Sequence, residues 1–174
     1  MTLLAAALRY AELGYPVFPC APEAKTPLTE HSHFEATADA ERIEAWWIER
    51  PNANVAIATT GLVVVDVDAA SRWLSDAPER AAELAVAPLS LTANSGRQYV
   101  FRQPAGKAWR NTTGRLAEHV DTRADGGYVV VPPNVIERVR TALFAKLLFD
   151  AGDRMAKAVA QRPLAREFHE DKCN

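Results

Sequence analysis

The run Gly61-Leu62-Val63-Val64-Val65-Asp66-Val67-Asp68 constrains this chain more than any other stretch. Valines at 63, 64, 65 and 67 favour a strand over a helix, and an apolar run without polar alternation suits a strand covered on both faces. Such a strand belongs at the centre of a sheet. Residues two apart in a strand share a face, roughly 6.5 Å apart at about 3.3 Å of rise per residue, so Asp66 and Asp68 face one site together. Two carboxylates closing an apolar strand repel each other and cost desolvation unless a cation neutralises them. Oxygen ligands suit Mg²⁺ or Mn²⁺, and ions about 3.5–4 Å apart call for carboxylates at about this spacing. The pair alone leaves a second reading open, in which both aspartates begin a loop and cap a helix at Ala69-Ala70-Ser71.

The 174 residues suffice for one substantial core, so a single domain is expected, and the change to a helical pattern divides it into a core over 1–136 and a helical segment and charged tail over 137–174. A hydrophobic content of 48% excludes a disordered chain. No apolar run approaches a membrane span and Met1–Leu13 lacks a basic leader, so a soluble, cytoplasmic protein without membrane contact is expected. Cys20 and Cys173 lie too far apart in sequence for a disulfide framework. Cys20, His31 and His33 offer no clear fourth zinc ligand, so no zinc is expected.

The net charge of −2 hides an asymmetry. The first sixty residues are acidic, whereas residues 97–123 carry Arg97, Arg102, Lys107, Arg110, Arg115 and Arg123 against Glu118 and Asp121, an excess of four positive charges. An anion could dock there, although a solvated basic face has the same composition.

Along the chain, Leu3–Leu13 reads as a helix stopped by Gly14, and Tyr15–Pro19 as an edge strand that tolerates its prolines. Residues 20–34 read as a loop, and Thr37 as the N-cap of a helix running to Arg50. Val55–Ala58 is a short strand. Ala69–Ala85 looks helical, kinked or split in two at Pro78, and Leu89–Thr92 and Tyr99–Phe101 form a strand pair joined by Ala93-Asn94-Ser95-Gly96-Arg97. Pro104–Arg115 reads as a loop, Tyr128–Val131 as a buried strand, and Glu137–Gln161 as helix. The fold expected is α/β (α+β), a mixed or antiparallel central sheet flanked by helices.

Three features fall in order: Asp66-x-Asp68 closing a strand, Ser95-Gly96-Arg97-Gln98 entering another, and Val120-Asp121 ahead of Asp125-Gly126-Gly127-Tyr128-Val129-Val130-Val131-Pro132-Pro133. Upstream stand Gly14-Tyr15-Pro16-Val17-Phe18-Pro19, Lys25-x-Pro27, Ala36-Thr37, Trp46-Trp47 and Asn54-Val55-Ala56-Ile57. Over about residues 1–135 this ordered set resembles the bifunctional primase/polymerase (prim-pol) family of the archaeo-eukaryotic primase superfamily.

The resemblance implies a metal-dependent nucleotidyltransferase acting in DNA replication. Asp66, Asp68 and Asp121 would hold two Mg²⁺ or Mn²⁺ ions, and Ser95, Gly96, Arg97, Gln98, Arg123 and Lys25 would contact a dNTP or NTP. Single-stranded DNA template and primer would be the partners, with Lys107, Trp109 and Arg110 as candidate nucleic-acid contacts; only Trp109, between Lys107 and Arg110 in a loop, suggests base stacking. Family members often continue into a helicase in phage or plasmid replication proteins. One position departs: Gln98 stands where the family usually has His. An amide can donate to a phosphate oxygen but brings no charge and cannot release a proton to departing pyrophosphate. Two rivals remain: a glycosyltransferase using Asp-x-Asp, which has no need of Asp121, and a replication module that grips nucleotide or DNA without turnover.

Overall fold

The computed structural model describes residues 1–92, 94–103, 106 and 108–133. The chain opens with α1 (Leu3–Glu12), whose Thr2 hydroxyl accepts the Ala5 N–H and whose end is turned by Gly14 at φ +82°. Next come β1 (Val17–Cys20), a 3₁₀ turn (Ser32–Glu35), α2 (Ala40–Glu49), β2 (Asn54–Ala58) and β3 (Leu62–Val67). The remainder is α3 (Pro78–Leu84), β4 (Leu89–Leu91), β5 (Arg97–Arg102), β6 (Thr112–Ala117), β7 (Val120–Arg123) and β8 (Tyr128–Val131).

The strands form two antiparallel sheets, ordered β1-β2-β8 and β4-β5-β3-β7-β6, in an α+β fold. The valine-rich strand sits in the middle of the larger sheet, as its composition requires. Leu62 and Val64 pack with Val100, with Ile43 and Trp47 of α2, and with Val55, Val129 and Val131 of the smaller sheet. Val65 and Val67 pack on the other side with Tyr99, Phe101 and Val120 beneath Trp73, Leu74 and Leu84. Burying each such aliphatic side chain contributes about 1.5–3 kcal/mol. Tyr10 bolts α1 to the end of β8, its hydroxyl donating to the Pro132 carbonyl at 2.9 Å.

Several expectations are corrected. Asp39, not Thr37, caps α2, because the Asp39 carboxylate accepts the Arg42 N–H while Thr37 pairs with Val17 beside β1. Residues 69–77 are turns and bends, and Pro78 begins α3 at its first turn instead of kinking a longer helix. The expected loop ending at Arg115 contains most of β6, an edge strand whose first four residues, Thr112-Thr113-Gly114-Arg115, have no buried position that would mark it. The loop over 20–34 also ends in the 3₁₀ turn. The expected C-terminal helix lies outside the described residues. Among the described residues, no helix is long and apolar enough to cross a membrane.

Candidate active site

The antiparallel register sets Asp66 of β3 opposite Gln98 of β5 on one side and Asp121 of β7 on the other. Neighbouring strands lie about 4.8 Å apart, so Gln98, Asp66 and Asp121 form a row across three strands. Arg123, two residues along β7, shares the face of Asp121 and stands level with Val64. This face opens into a cleft of about 300 Å³ whose lining includes Asp66, Gln98, Arg123, Lys25, His33 and Tyr128.

Hydrogen bonds fix three of the carboxylate oxygens in the row. Gln98 Nε2 donates to Asp66 Oδ2 at 3.1 Å. Asp121 accepts the Gly114 N–H at Oδ1 (3.0 Å) and Arg123 Nη2 at Oδ2 (2.9 Å). Burial lifts the Asp66 carboxyl above the usual carboxylate range. The Gln98 hydrogen bond and the Lys25 and Arg123 charges oppose the rise, and the Asp68 charge adds to it.

Asp68 lies one residue beyond β3 and is exposed, its N–H donating to the His119 carbonyl at 3.0 Å. Gly96 lets the β4–β5 turn close against this end of β3: a Cβ there would stand 2.7 Å from Thr92 Oγ1 and 3.1 Å from the Val67 carbonyl oxygen. Lys25 rides on a pinned loop. Asn54 Nδ2 donates to the carbonyls of Ala21 and Ala24, and the Tyr128 hydroxyl donates to that of Lys25 at 3.0 Å. The buried Cys20 thiol points at the same Lys25 carbonyl, and burial pushes it up to about 12.

Other expected residues stand apart. Ser95 is exposed and its N–H closes the turn on the Thr92 carbonyl. Arg97 leaves β5 on the face opposite Gln98 and is exposed. Trp109 is half-buried, with its N–H on Gln103 Oε1, and Arg110 bridges to Asp125; neither lines the cleft. Lys107 lies outside the described residues.

The cleft also contains residues that motif reading passed over as nucleotide contacts. The sequence singles out His33 only as a zinc candidate, yet it lines the cleft. Asn111 shapes the Gly126-Gly127 turn, accepting the Ala124 N–H and donating to the Gly126 carbonyl. A side chain at Gly127 would collide with that amide.

The oxygen donors of Asp66, Asp68 and Asp121 suit a hard divalent cation, and a desolvated, elevated Asp66 carboxyl is a group that a cation would stabilise in its ionised form. As they stand among the described residues, no three acidic, histidine or cysteine side chains converge into a ready cage.

Asp66 and Asp121 stand level on adjacent central strands, and Asp66 lines a cleft shared with Lys25 and Arg123, which defines an α+β domain with carboxylates and cations gathered at one place. The sequence profile of the bifunctional DNA primase/polymerase N-terminal family matches residues 7–158, and the chain belongs to that family. Membership implies a DNA primase/polymerase enzyme that handles DNA and nucleotides. No curated protein matches the chain.

Proposed function

We propose that the domain performs metal-dependent, template-directed nucleotidyl transfer from dNTPs or NTPs, with Asp66, Asp68 and Asp121 as the acidic set. The supporting observation is the register that sets Asp121 level with Asp66, which lines the cleft. Bound Mg²⁺ or Mn²⁺ would lower the pKa of a primer 3′-hydroxyl and neutralise the triphosphate. Lys25 and Arg123 supply fixed positive charge for phosphates. Gln98 holds Asp66 in place through its amide, so on this reading its first role is to orient a carboxylate. A third acid level with the first favours nucleotidyl transfer over the glycosyltransferase reading, which has no use for it.

A module that binds nucleotide or DNA without turnover is the second reading, favoured by the engagement of both Asp121 oxygens with Gly114 and Arg123. Extension of a primed single-stranded template in Mg²⁺ or Mn²⁺, with dNTPs and NTPs, separates the two. The expected result is product from wild type and none from Asp66→Ala/Asp68→Ala. An unprimed lane reports whether priming accompanies extension. No product in any lane, with nucleotide still bound, would hand the assignment to the binding module. A helicase partner in a longer replication protein, encoded by phage or plasmid, is part of the proposal and rests on the resemblance alone.

A further inference from the structure

Four rings run from the core to the surface at the rim of the cleft. Phe18, fully buried, meets Tyr128 edge-on with centroids 5.3 Å apart and planes at 78°. Tyr128 stacks on His33 at 5.7 Å and 28°, and His33 meets Phe34 at 4.2 Å and 33°. Tyr128 and His33 line the cleft, whereas Phe34, one ring further out, is 78% exposed. His33 Nε2 is closed off from solvent and has no hydrogen-bond partner among the described residues.

The turn carrying Phe34 is braced. Glu35 accepts the His31 N–H at 2.7 Å and Arg42 Nη2 at 2.6 Å, and the Thr29 hydroxyl donates to the Ser32 carbonyl at 2.8 Å. A large apolar ring held out in water by a fixed turn gains nothing from the hydrophobic effect as it stands. Its stack is continued inward by aromatic rings and its outer side is open. Planar aromatic ligands suit such an end, and the Lys25 and Arg123 cations in the adjoining cleft call for a ligand that also carries phosphate.

We propose that Phe34 is the outer step of a stacking platform for an unpaired nucleobase, whose phosphates lie toward Lys25 and Arg123 in the adjoining cleft. The base belongs to a single-stranded template or to a nucleoside triphosphate. The inference rests on the primase/polymerase reading only for the nucleic-acid nature of the ligand, and it does not require turnover.

The test uses the full chain as wild type, Phe34→Ala and Phe34→Trp, with fluorescence anisotropy of a labelled single-stranded oligodeoxynucleotide and of a matched abasic sugar-phosphate strand at low salt. Calorimetry with dTTP and ATP runs alongside. Phe34→Ala is expected to weaken binding of the base-bearing strand roughly 5- to 150-fold. Phe34→Trp should retain it, and the abasic strand should bind wild type and Phe34→Ala alike. A loss confined to dTTP and ATP would place the incoming base on the ring. Equal binding of all ligands by wild type and Phe34→Ala overturns the proposal. So does an equal loss on the abasic strand, failure of wild type to bind any ligand, or a lower melting temperature in Phe34→Ala with unchanged binding, which would assign the ring to packing within the chain. The strand-binding assay contains neither a triphosphate nor a divalent cation, so failure of primer extension and failure of the platform are separate results.

Discussion

The Gln98 side-chain amide donates to the Asp66 carboxylate across the β3–β5 pair, at 3.1 Å from Nε2 to Oδ2. Both residues lie in the cleft wall, and Gln98 is buried. A buried hydrogen bond to a charged group contributes about 1.5–3 kcal/mol. Gln98→Leu is therefore expected to lower unfolding stability by about that amount at neutral pH, as measured by urea denaturation. It should also lift the Asp66 carboxyl further. An unchanged denaturation midpoint would show that the amide does not hold the carboxylate.

Asp66 gives the site a pH dependence of known sign. Its folded-state pKa is raised, mainly by desolvation, so the native state binds this proton more tightly than the unfolded chain does. In the window between the ordinary aspartate range and that raised value, stability from this group falls as pH rises. At neutral pH the buried charge is a full cost. Asp66→Asn should melt above wild type at pH 7, and the gap should shrink as pH is lowered through the Asp66 titration. Because only the ionised carboxylate binds a cation, Mn²⁺ affinity in wild type should begin to weaken on acidification at a higher pH than for an ordinary aspartate.

Arg123 Nη2 pairs with Asp121 Oδ2 at 2.9 Å. The pair is partly exposed, and pairs of this kind contribute about 0.2–1 kcal/mol. Arg123→Gln is expected to strengthen Mn²⁺ binding without nucleotide by up to roughly 5-fold, read by electron paramagnetic resonance. The same change should weaken triphosphate binding, because it removes a cation from the cleft. Weaker Mn²⁺ binding in this variant would place Arg123 in support of the cation site instead of in competition with it.

Gly96 presses the β4–β5 turn against the end of β3. Gly96→Ala is expected to cost about 1–3 kcal/mol of stability, since the Val67 carbonyl that crowds the added Cβ belongs to the backbone. Primer extension should fall with it, because Gln98 lies two residues into the displaced strand. Unchanged melting and extension would show that the turn tolerates the shift.

Local chemistry made much of the architecture readable. The valines of β3 call for a strand buried on both faces and need no partner to say so. Gly14 ends α1 because the chain there adopts a positive φ that glycine enters without strain. β6 escaped because Thr112-Thr113-Gly114-Arg115 has no buried alternation; an edge strand is defined by its neighbour β7, not by its own pattern. Residues 69–77 misled in the opposite sense. Trp73 and Leu74 are buried apolar residues, but they cover Val65 and Val67 from turns and not from a helix.

The site divides the same way. Residue order alone determined the acid pair at the end of an apolar strand, the Gln98 departure, and the likeness to a primase/polymerase, because these follow from identity and spacing along the chain. Only the tertiary structure decided that Asp121 stands beside Asp66, that Arg97 turns away while Arg123 holds Asp121, and that His33 and Tyr128 join the cleft. Those relations come from cross-strand register and from the meeting of two sheets. Both are set by burial and hydrogen bonding between segments far apart in sequence, which local propensity cannot register.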